Sequence, residues 1–417
     1  MIFNVKDYGA VGDGKQMNTI AIQKAIDACN CAGGGVVLIK DGVYLTGTII
    51  LKSNVELHIA AGAVLLGSPN CSDYPERSNV KHVNTPLLPR TRNACMIFAE
   101  ECENISLTGM GTINCNGDKF VFLREGEARG WKYARIDAPT PPRVVFFTGC
   151  KNVKVTDVTM INQPAGWSYW IHDCDFVAFD RVKIDADVNY PNNDGIHVNS
   201  SRNVTISNCD ISCGDDCLIV RANNVSLAEN KVCEKVSITN CNLTSYSGGI
   251  RIGWMNDGVI RNCTFSNLVM TDTSDGISIL LPFVQPWPGL DRAADQGRED
   301  TLIENLHFDN IVMDGIYRHA VKIEVSDSSV VRCAGIKNLS FSNIRALGLK
   351  TLRIKGRKNC IFKNIRFSNC SFEQVGEDVL TNKLHHGSGV GGNNEPVFSI
   401  EYAENVSFDN TSFTSKV

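Results

Sequence analysis

The chain has 417 residues, with 41 basic and 45 acidic side chains and a formal net charge of −4. This balance argues against a generic nucleic-acid-binding surface, so any basic patch must be local. Apolar residues make up 43% of the chain, yet no run of them approaches the roughly 20 residues of a membrane span. We therefore expect neither nucleic acid nor a membrane among its partners.

The first predicted element is an amphipathic helix over residues 17–31. Its apolar positions are Ile20, Ile22, Ala25, Ile26 and Cys29. Asn18 is the predicted N-cap, and the sequence AGGG at residues 32–35 ends the helix. Because a helix can cover the open end of a β-solenoid and block edge-to-edge association there, we predict that residues 1–35 form an N-terminal cap.

Six-residue segments then recur along the chain, and from the second one on they have apolar third and fifth positions. The segments are WSYWIH from Trp167, DGIHVN from Asp194, DCLIVR from Asp216, GGIRIG from Gly248, DGISIL from Asp275, HAVKIE from His319 and KTLRIK from Lys350. The alternation indicates strands with one inward apolar face. A second set of strand-like repeats interleaves with these segments, so each repeat supplies at least two strands.

Self-similarity at a spacing of 22 to 44 residues is typical of solenoids. We predict an all-β fold, a single-stranded right-handed parallel β-helix that forms one domain over residues 1–417. The alternative is a β-sandwich of short strands, which the spacing and the absence of hairpin turn pairs disfavour. Asn-Cys pairs at Cys209, Cys241, Cys263 and Cys370 predict small side chains stacked inside a turn.

Two acidic motifs precede consecutive strands. Asn-Asn-Asp ends at Asp194 and Gly-Asp-Asp ends at Asp216, 22 residues later, with Asp215 beside it. One coil separates them, so Asp194 and Asp216 should lie about 4.8 Å apart along the solenoid. Crowded carboxylates raise one another's pKa, and one stays protonated at working pH. The pattern predicts acid/base catalysis, in which Asp194 and Asp216 share a water and Asp215 is the acid; the alternative is a Ca²⁺ site or turn-capping aspartates.

Candidate substrate-binding residues surround the three acids. Arg251 and Lys322 occupy outward strand positions from which either could hold a carboxylate, the alternative being solvated surface charge. Asp275 is expected in line with the acids, two coils beyond Asp216. Its predicted role is to bind a sugar hydroxyl, and the alternative is that it caps a turn. The full set of substrate-binding candidates is Asn193, His197, Arg221, Arg251, Asp275, Lys322 and Trp287.

Three long insertions, at residues 116–143, 281–300 and 374–396, interrupt the repeats. Long loops without regular structure tend to be functional, so we predict that these build the walls of a cleft. The first carries Trp131 and Tyr133, whose rings suit apolar stacking on a sugar. Packing of these rings onto the solenoid is the alternative.

The seventeen cysteines are odd in number, and many lie within strands or turns. We predict buried free thiols rather than a disulfide framework. No compact set of cysteines and histidines has ligand spacing, so neither a metal nor a cofactor is predicted. We expect the chain to enter the fold from its first residues, without a signal peptide. The expected location is therefore the reducing cytoplasm, or outside the cell if a leader has been removed.

Across essentially its full length the chain resembles glycoside hydrolase family 28, the polygalacturonase family of pectin-degrading enzymes. The resemblance is carried by FNVKDYGAVGDGKQMNTIAIQKAIDAC, GVYLTGTIILKSNVELHIAAGAVLLGS and PNNDGIHVNSSRNVTISNCDISCGDDC. It implies a pectin-lyase-like right-handed parallel β-helix and hydrolysis with inversion. It also implies that Asp194, Asp215 and Asp216 are the catalytic carboxylates, with Asn193 in place of a threonine.

The chain departs from the family pattern at two further motifs. Ser247 or Gly248 stands where a Gly-His-Gly motif has its histidine, and residues 278–280 read Ser-Ile-Leu where Arg-Ile-Lys is expected. A literal Arg-Ile-Lys at residues 353–355 lies two coils further along. We predict an inverting hydrolase for a uronate-containing galacturonan or rhamnogalacturonan backbone. The alternatives are a glycosidase of the same fold for another glycan and a catalytically inactive carbohydrate-binding β-helix.

Overall fold

The computed structural model describes residues 1–75, 94–125, 131–136, 142–283, 299–380 and 396–417. These residues form a right-handed parallel β-helix, which confirms the predicted fold class. Among them, no helix is long and apolar enough to span a membrane. The candidate ligand Trp287 lies outside the described residues.

The strands are numbered in chain order. They are β1 (Ile2–Asn4), β2 (Asp13–Met17), β3 (Gly35–Ile39), β4 (Val43–Thr46), β5 (Ile49–Ile50), β6 (Val55–Ile59), β7 (Val64–Gly67), β8 (Cys95–Glu100), β9 (Glu103–Thr108), β10 (Thr112–Asn114), β11 (Val121–Leu123), β12 (Tyr133–Arg135), β13 (Arg143–Thr148), β14 (Lys151–Thr156), β15 (Thr159–Ile161), β16 (Tyr169–His172), β17 (Asp175–Asp180), β18 (Lys183–Asp185), β19 (Ile196–Asn199), β20 (Arg202–Ser207), β21 (Asp210–Cys213), β22 (Leu218–Arg221), β23 (Cys233–Ser245), β24 (Gly248–Ile252), β25 (Val259–Thr273), β26 (Asp275–Leu281), β27 (Thr301–Val325), β28 (Cys333–Lys355), β29 (Phe362–Ser368), β30 (Ser371–Gln374), β31 (Phe398–Glu401), β32 (Ala403–Asp409) and β33 (Ser412–Ser415). One α-helix, α1 (Thr19–Cys31), and three short 3₁₀ helices (Val5–Tyr8, Cys71–Asp73 and Gly117–Phe120) complete the described elements.

The strands pair in three parallel sheets that run along the solenoid. The front sheet contains β5, β8, β13, β16, β19, β22, β24, β26, the ends of β27 and β28, and β31. The back sheet runs from β1 through β3, β6, β9, β14, β17 and β20 into the long strands, and the side sheet runs from β2 through β4, β7, β10, β15, β18 and β21 into the same strands. Because those long strands (β23, β25, β27 and β28) bend through turns, the parallel strands form one connected system of 31 strands. β11 and β12 form a separate antiparallel hairpin.

The core is built from rows of inward side chains, one from each coil. On the front sheet, the predicted inward residues of β19, β22 and β24 are buried, with Ile196, Leu218 and Ile250 fully so. On the back sheet, Phe308 lies between two nearly parallel phenylalanine rings, with centroids 4.7 Å from each. This distance equals the spacing of adjacent strands, so each coil adds one ring to a continuous stack. Each fully buried ring stabilises the fold by about 1.5–3 kcal/mol relative to an exposed one.

Asparagines in the left-handed conformation close the turns on both sides of the back sheet. One row contains Asn54, Asn104, Asn152, Asn203, Asn262, Asn305, Asn338, Asn364 and Asn405, all with φ between 54° and 63°. Their amides bond from coil to coil, as when Asn152 Nδ2 donates to Asn104 Oδ1 at 3.0 Å. Asparagine adopts this conformation at little cost and its amide both donates and accepts, so the row satisfies itself. Two other residues occupy this row in the same conformation: Phe176, with a φ of 59° and a 59% exposed side chain, and Lys235, with a φ of 57°.

The N-terminal helix starts at Thr19, two residues later than predicted, because Met17 belongs to β2. Asn18 is the N-cap residue, but its side chain bonds the backbone of Val11 and Gln16 instead of a helical amide. Ile22, Ala25, Ile26 and Cys29 are buried, as predicted. Ile20 is 74% exposed, and its assignment to the apolar face was wrong. Two residues of helix span about 200°, which puts Ile20 opposite Ile22.

Fifteen of the 17 cysteines are free thiols, whereas Cys333 and Cys360 form a disulfide. The prediction of free thiols is therefore wrong for this pair, whose separation of 27 residues places both cysteines near the same turn on adjacent coils. The predicted Asn-Cys stack is also corrected. Cys209 and Cys241 adjoin in one turn row, but Cys263 pairs in register with Val236 and lies in a different row.

Candidate active site

Asp194 and Asp216 lie at the same point of two adjacent coils, just before front-sheet strands β19 and β22. The Gly195 amide donates to the Asp216 carbonyl at 2.9 Å, and the strands continue in register from there. The 22-residue coil therefore brings the two carboxylates together, as the spacing predicts. Asp215 lies one residue earlier in the same turn as Asp216.

One carboxylate oxygen from each of Asp194, Asp215 and Asp216 lies within 4.8 Å of the others. Asp194 and Asp216 are buried, at 5% and 9% exposure, while Asp215 remains partly exposed. Burial raises the pKa of Asp194 well above its usual range, and the charge of Asp216 raises it further. Burial also raises the pKa of Asp215, as do the charges of Asp194 and Asp216. The cluster therefore keeps a proton to a higher pH than an isolated carboxyl group would.

This oxygen cluster can act on water or on a cation. Each carboxylate can offer one oxygen to a single ion, and Ca²⁺ and Mg²⁺ prefer oxygen ligands. The same oxygens can hold a water between two carboxylates while the third carries a proton. The geometry thus suits acid/base chemistry and leaves the predicted calcium alternative open.

Buried polar groups hold the acidic turn in place. Asn193 Oδ1 accepts from the Gly214 amide at 2.6 Å, and Asn193 Nδ2 donates to the Asp187 carbonyl at 2.8 Å. Cys213 Sγ donates to the Asp215 carbonyl at 3.0 Å. Both amide atoms of Asn193, a predicted substrate ligand, are therefore engaged with the main chain, and its place in the structure is that of a residue that shapes the turn.

Two serines of the next coil complete this turn. Ser247 Oγ donates to Asp216 Oδ1 at 2.9 Å, and Ser245 Oγ donates to the Asp215 carbonyl. The backbone of Gly248 lies so close to Asp216 that a Cβ there would be 2.6 Å from Oδ1. A side chain at position 248 would therefore displace the carboxylate. Sequence reasoning singled out Ser247 as a departure from a family motif but missed this contact, and it missed Ser245 altogether.

His197 contacts Asp194 from the outer face of the front sheet. Its Nε2 lies 3.0 Å from Asp194 Oδ2, and the Trp167 ring stacks on the imidazole at 4.3 Å. Burial lowers the pKa of His197 well below its usual range, and Arg221 lowers it further. The imidazole is therefore neutral, and when Asp194 is ionised Nε2–H donates to it. This bond orients the carboxylate without cancelling its charge.

The two arginines among the predicted ligands have different surroundings. Arg221 forms two bonds to the carboxylate of Asp257, at 2.8 and 3.1 Å, and is tied into the fold by them. The Arg251 guanidinium lies over the Trp254 ring at 4.6 Å, and its Nε donates to the Gly253 carbonyl at 3.5 Å. Burial lowers the pKa of Arg251, yet arginine stays protonated in proteins. Arg251 therefore brings a positive charge to the acidic cluster.

Asp275 continues the row of acids two coils beyond Asp216, as predicted. Its carboxylate pairs with Arg318 at 3.0 Å and accepts from the His319 amide at 3.1 Å. Burial alone would raise the pKa of Asp275, but Arg318, His319 and Lys322 outweigh it and hold the pKa below its usual range. Asp275 is therefore ionised and anchors Arg318, a residue that lies just outside the six-residue repeat and was not predicted.

The remaining basic candidates are engaged with acidic neighbours. Lys322 Nζ lies 3.6 Å from Glu324, and Arg353 Nε lies 3.3 Å from the same carboxylate. Lys355 Nζ lies 3.2 Å from Asp327. The literal Arg-Ile-Lys at residues 353–355 thus belongs to ion pairs on the coil after Lys322, away from the acidic turn.

The first long insertion returns to the acidic turn. Trp131 Nε1 donates to the Gly214 carbonyl, and the Tyr133 ring packs edge-on against Tyr190 at 4.9 Å. Both aromatic side chains therefore attach the described part of the insertion to the turn that carries the catalytic candidates. These contacts are with other protein groups, as expected if the two rings pack onto the solenoid.

Comparisons with known proteins agree with this architecture. The sequence profile of glycosyl hydrolases family 28 matches residues 89–384, and that of rhamnogalacturonase A/epimerase, pectate lyase-like proteins matches residues 2–82. A probable polygalacturonase from Vitis vinifera is 28% identical over 286 residues, 66% of this chain and 55% of the relative. An exo-poly-alpha-D-galacturonosidase from Dickeya chrysanthemi is 30% identical over 250 residues, 52% of this chain and 41% of the relative.

The chain spans about half the length of these two curated relatives. The crystal structure of a hyperthermoactive exopolygalacturonase from Thermotoga maritima has the same fold, with a TM-score of 0.73 at 20% identity. That match covers 100% of this chain and 92% of the other.

Proposed function

The chain belongs to glycosyl hydrolases family 28, and we propose that it hydrolyses the backbone of a pectin-type polysaccharide or oligosaccharide, galacturonan or rhamnogalacturonan. The observation that carries the proposal is the cluster of Asp194, Asp215 and Asp216, which two adjacent coils bring within 4.8 Å of one another. A turn that stacks like charges destabilises the fold, and carboxyl groups whose pKa values are shifted by burial and by one another are typical of catalytic sites.

Asp215 is the general acid in this proposal. It is the partly exposed member of the cluster, and burial together with its two charged neighbours raises its pKa. Asp215 gives its proton to the glycosidic oxygen as the bond from that oxygen to C1 breaks. Asp194 and Asp216 hold a water between them and take its proton as the water oxygen bonds C1. His197 and Ser247 keep these two carboxylates in place.

Inversion at C1 is part of the proposal because two of the three acids can share one water. The carboxyl groups of inverting glycosidases are usually about 6.5–9.5 Å apart, whereas the nearest oxygens of this cluster lie within 4.8 Å. The separation by itself does not favour inversion, so the stereochemistry has to be measured. Proton NMR of the first-formed product anomer gives it directly, and retention would contradict the shared-water mechanism.

The activity is tested with purified protein and defined galacturonan and rhamnogalacturonan oligosaccharides. Asp215→Asn should lower kcat/KM by about 10²–10⁴, the usual contribution of a general acid. Asp210→Asn is the matched control, because Asp210 is an exposed aspartate on the same coil, and this variant should keep wild-type activity. Undiminished activity in Asp215→Asn would rule out the assigned acid. Binding without turnover on every glycan would identify a carbohydrate-binding β-helix instead.

A further inference from the structure

One row of outward side chains runs along the front sheet beside the acids. His197, Ile219, Arg251, Ser278 and Lys322 pair in register on five consecutive strands. Adjacent members of such a row lie about 4.8 Å apart along the solenoid. Arg251 and Ser278 are therefore neighbours, on the two coils that follow Asp216.

Arg251 differs from the other arginines of this face in its lack of an acidic partner among the described residues. Arg221, Arg318 and Arg353 each pair with an acidic side chain. For Arg251, no carboxylate in the described part of the chain lies within ion-pair distance. Its guanidinium rests on the Trp254 ring, which fixes its plane, and its charge acts on Asp216 and Asp194 from beyond contact distance.

Ser278 supplies a second, independent observation. The residue is 3% exposed, and its hydroxyl oxygen has no hydrogen-bond partner among the described residues. A buried hydroxyl without a partner is costly, so such groups in native proteins call for an explanation. Ser278 follows Arg251 in the outward row, and a hydroxyl and a guanidinium are both donors from which one anionic oxygen pair can accept.

We infer that Arg251 and Ser278 together bind the carboxylate of a hexuronate unit of the substrate. Arg251 supplies two parallel N–H donors, whose geometry matches a carboxylate, and Ser278 donates its O–H to the same group. Trp254 holds the guanidinium in the orientation that this requires. Lys322, one coil further, is engaged with Glu324 and is not part of the pair. The inference rests on the proposed function, and it identifies the residues that would make the hydrolysis specific for uronate-containing substrates.

The experiment compares trigalacturonate with its carboxyl-reduced counterpart, which has the same linkage but no charge. Arg251→Gln should lower kcat/KM for trigalacturonate by about 10- to 100-fold, the usual effect of losing a hydrogen bond to a charged group. The value for the reduced trisaccharide should change less than about threefold. Ser278→Ala should show the same selectivity with a smaller loss. Arg353→Gln, from the same outward row but paired with Glu324, is the control and should affect neither substrate.

A purely electrostatic role of Arg251 on the acids predicts another pattern. Arg251→Gln would then reduce both substrates equally, and Arg251→Lys would restore both because the charge returns. The carboxylate-binding role predicts that Arg251→Lys recovers trigalacturonate cleavage incompletely, since lysine lacks the planar pair of donors. Equal losses on the two substrates would overturn the inference.

Measurements of binding distinguish a failure of this inference from a failure of the proposed reaction. Should the wild type cleave neither trisaccharide nor any rhamnogalacturonan oligosaccharide, the proposed function fails, and calorimetry with trigalacturonate still tests the site. Binding that is about tenfold weaker in Arg251→Gln, with the reduced trisaccharide unaffected, supports the carboxylate site. Equal affinity of wild type and variant for trigalacturonate, or no binding by the wild type, overturns it.

Discussion

The turn before the front sheet and the turns beside the back sheet repeat with the same coil spacing, but their chemistry differs. Beside the back sheet, asparagine amides stack, and each donates to the asparagine of the preceding coil and accepts from that of the next. Before the front sheet, Asp194 and Asp216 stack as carboxylates, which accept hydrogen bonds and repel each other when ionised. They therefore need donors from elsewhere, and His197 and Ser247 provide them. The back of the molecule stabilises the coils, and the front places reactive groups on them.

The largest effect on stability is expected at the back. Phe308→Ala removes a fully buried ring from the phenylalanine stack and should lower the free energy of unfolding by about 3–5 kcal/mol. The urea midpoint would fall accordingly, while kcat per folded molecule stays unchanged. Val312→Ala, at an exposed position of the same strand, should cost less than about 0.5 kcal/mol. Comparable losses in the two variants would show that the ring stack does not stabilise the coils.

The next largest effect is expected on activity at the front. Gly248→Ala would put a Cβ 2.6 Å from Asp216 Oδ1 and so shift that carboxylate. A misplacement of about 1 Å costs on the order of 10²-fold in rate. The backbone of Gly248 is not in the left-handed region, so the melting temperature should change little. Ser247→Ala, which removes a donor without intruding, should lower kcat/KM less. Wild-type activity in Gly248→Ala would show that the position of Asp216 is not critical.

The inward rows and the register of Asp194 with Asp216 could be predicted because period-two alternation and a constant coil length determine both. The contacts of Ser247, Arg318 and Trp131 could not, because they form in turns and insertions, where strand periodicity says nothing about side-chain direction. Asn18 illustrates the same limit. Its side chain could form hydrogen bonds either with a backbone amide of the helix or with the loop that precedes the helix. The sequence pattern does not indicate which of these two sets of bonds is more stable.

A smaller effect is expected on the pH dependence of stability, through the titration of Asp215 in the turn before the front sheet. Burial and neighbouring charges raise the pKa of Asp215 in the fold above its unfolded value of about 3.9. The stabilisation linked to this group is fully present below the unfolded pKa and is lost as the pH rises through the folded pKa. Asp215→Asn should therefore raise the melting temperature at pH 7, by on the order of 1–2 °C, and have little effect near pH 3. Asp210→Asn should show no such pH dependence. A lower melting temperature for Asp215→Asn at pH 7 would contradict this account.

The smallest effect is expected at Phe176, one of the two residues that interrupt the asparagine row beside the back sheet. Phe176 adopts a left-handed conformation between Asn152 and Asn203, at a cost of about 1–2 kcal/mol for an ordinary side chain. Phe176→Asn should recover about 0.5–1 kcal/mol of this, seen as a small rise in melting temperature. Phe176→Ala keeps the unfavourable conformation without adding an amide and serves as the control. Equal melting temperatures of the two variants would show that the row gains nothing from continuity.

The central claim is that adjacent coils make the acids of the front turn work as one unit. The most direct test is kcat/KM of Asp194→Asn, Asp216→Asn and the double variant on an oligosaccharide that the wild type cleaves. If the two carboxylates hold one water, each single variant should lose about 10³-fold or more, and the double variant should lose no more than about tenfold beyond either. Losses that multiply in the double variant, or a single variant with near wild-type activity, would show that the two aspartates act independently.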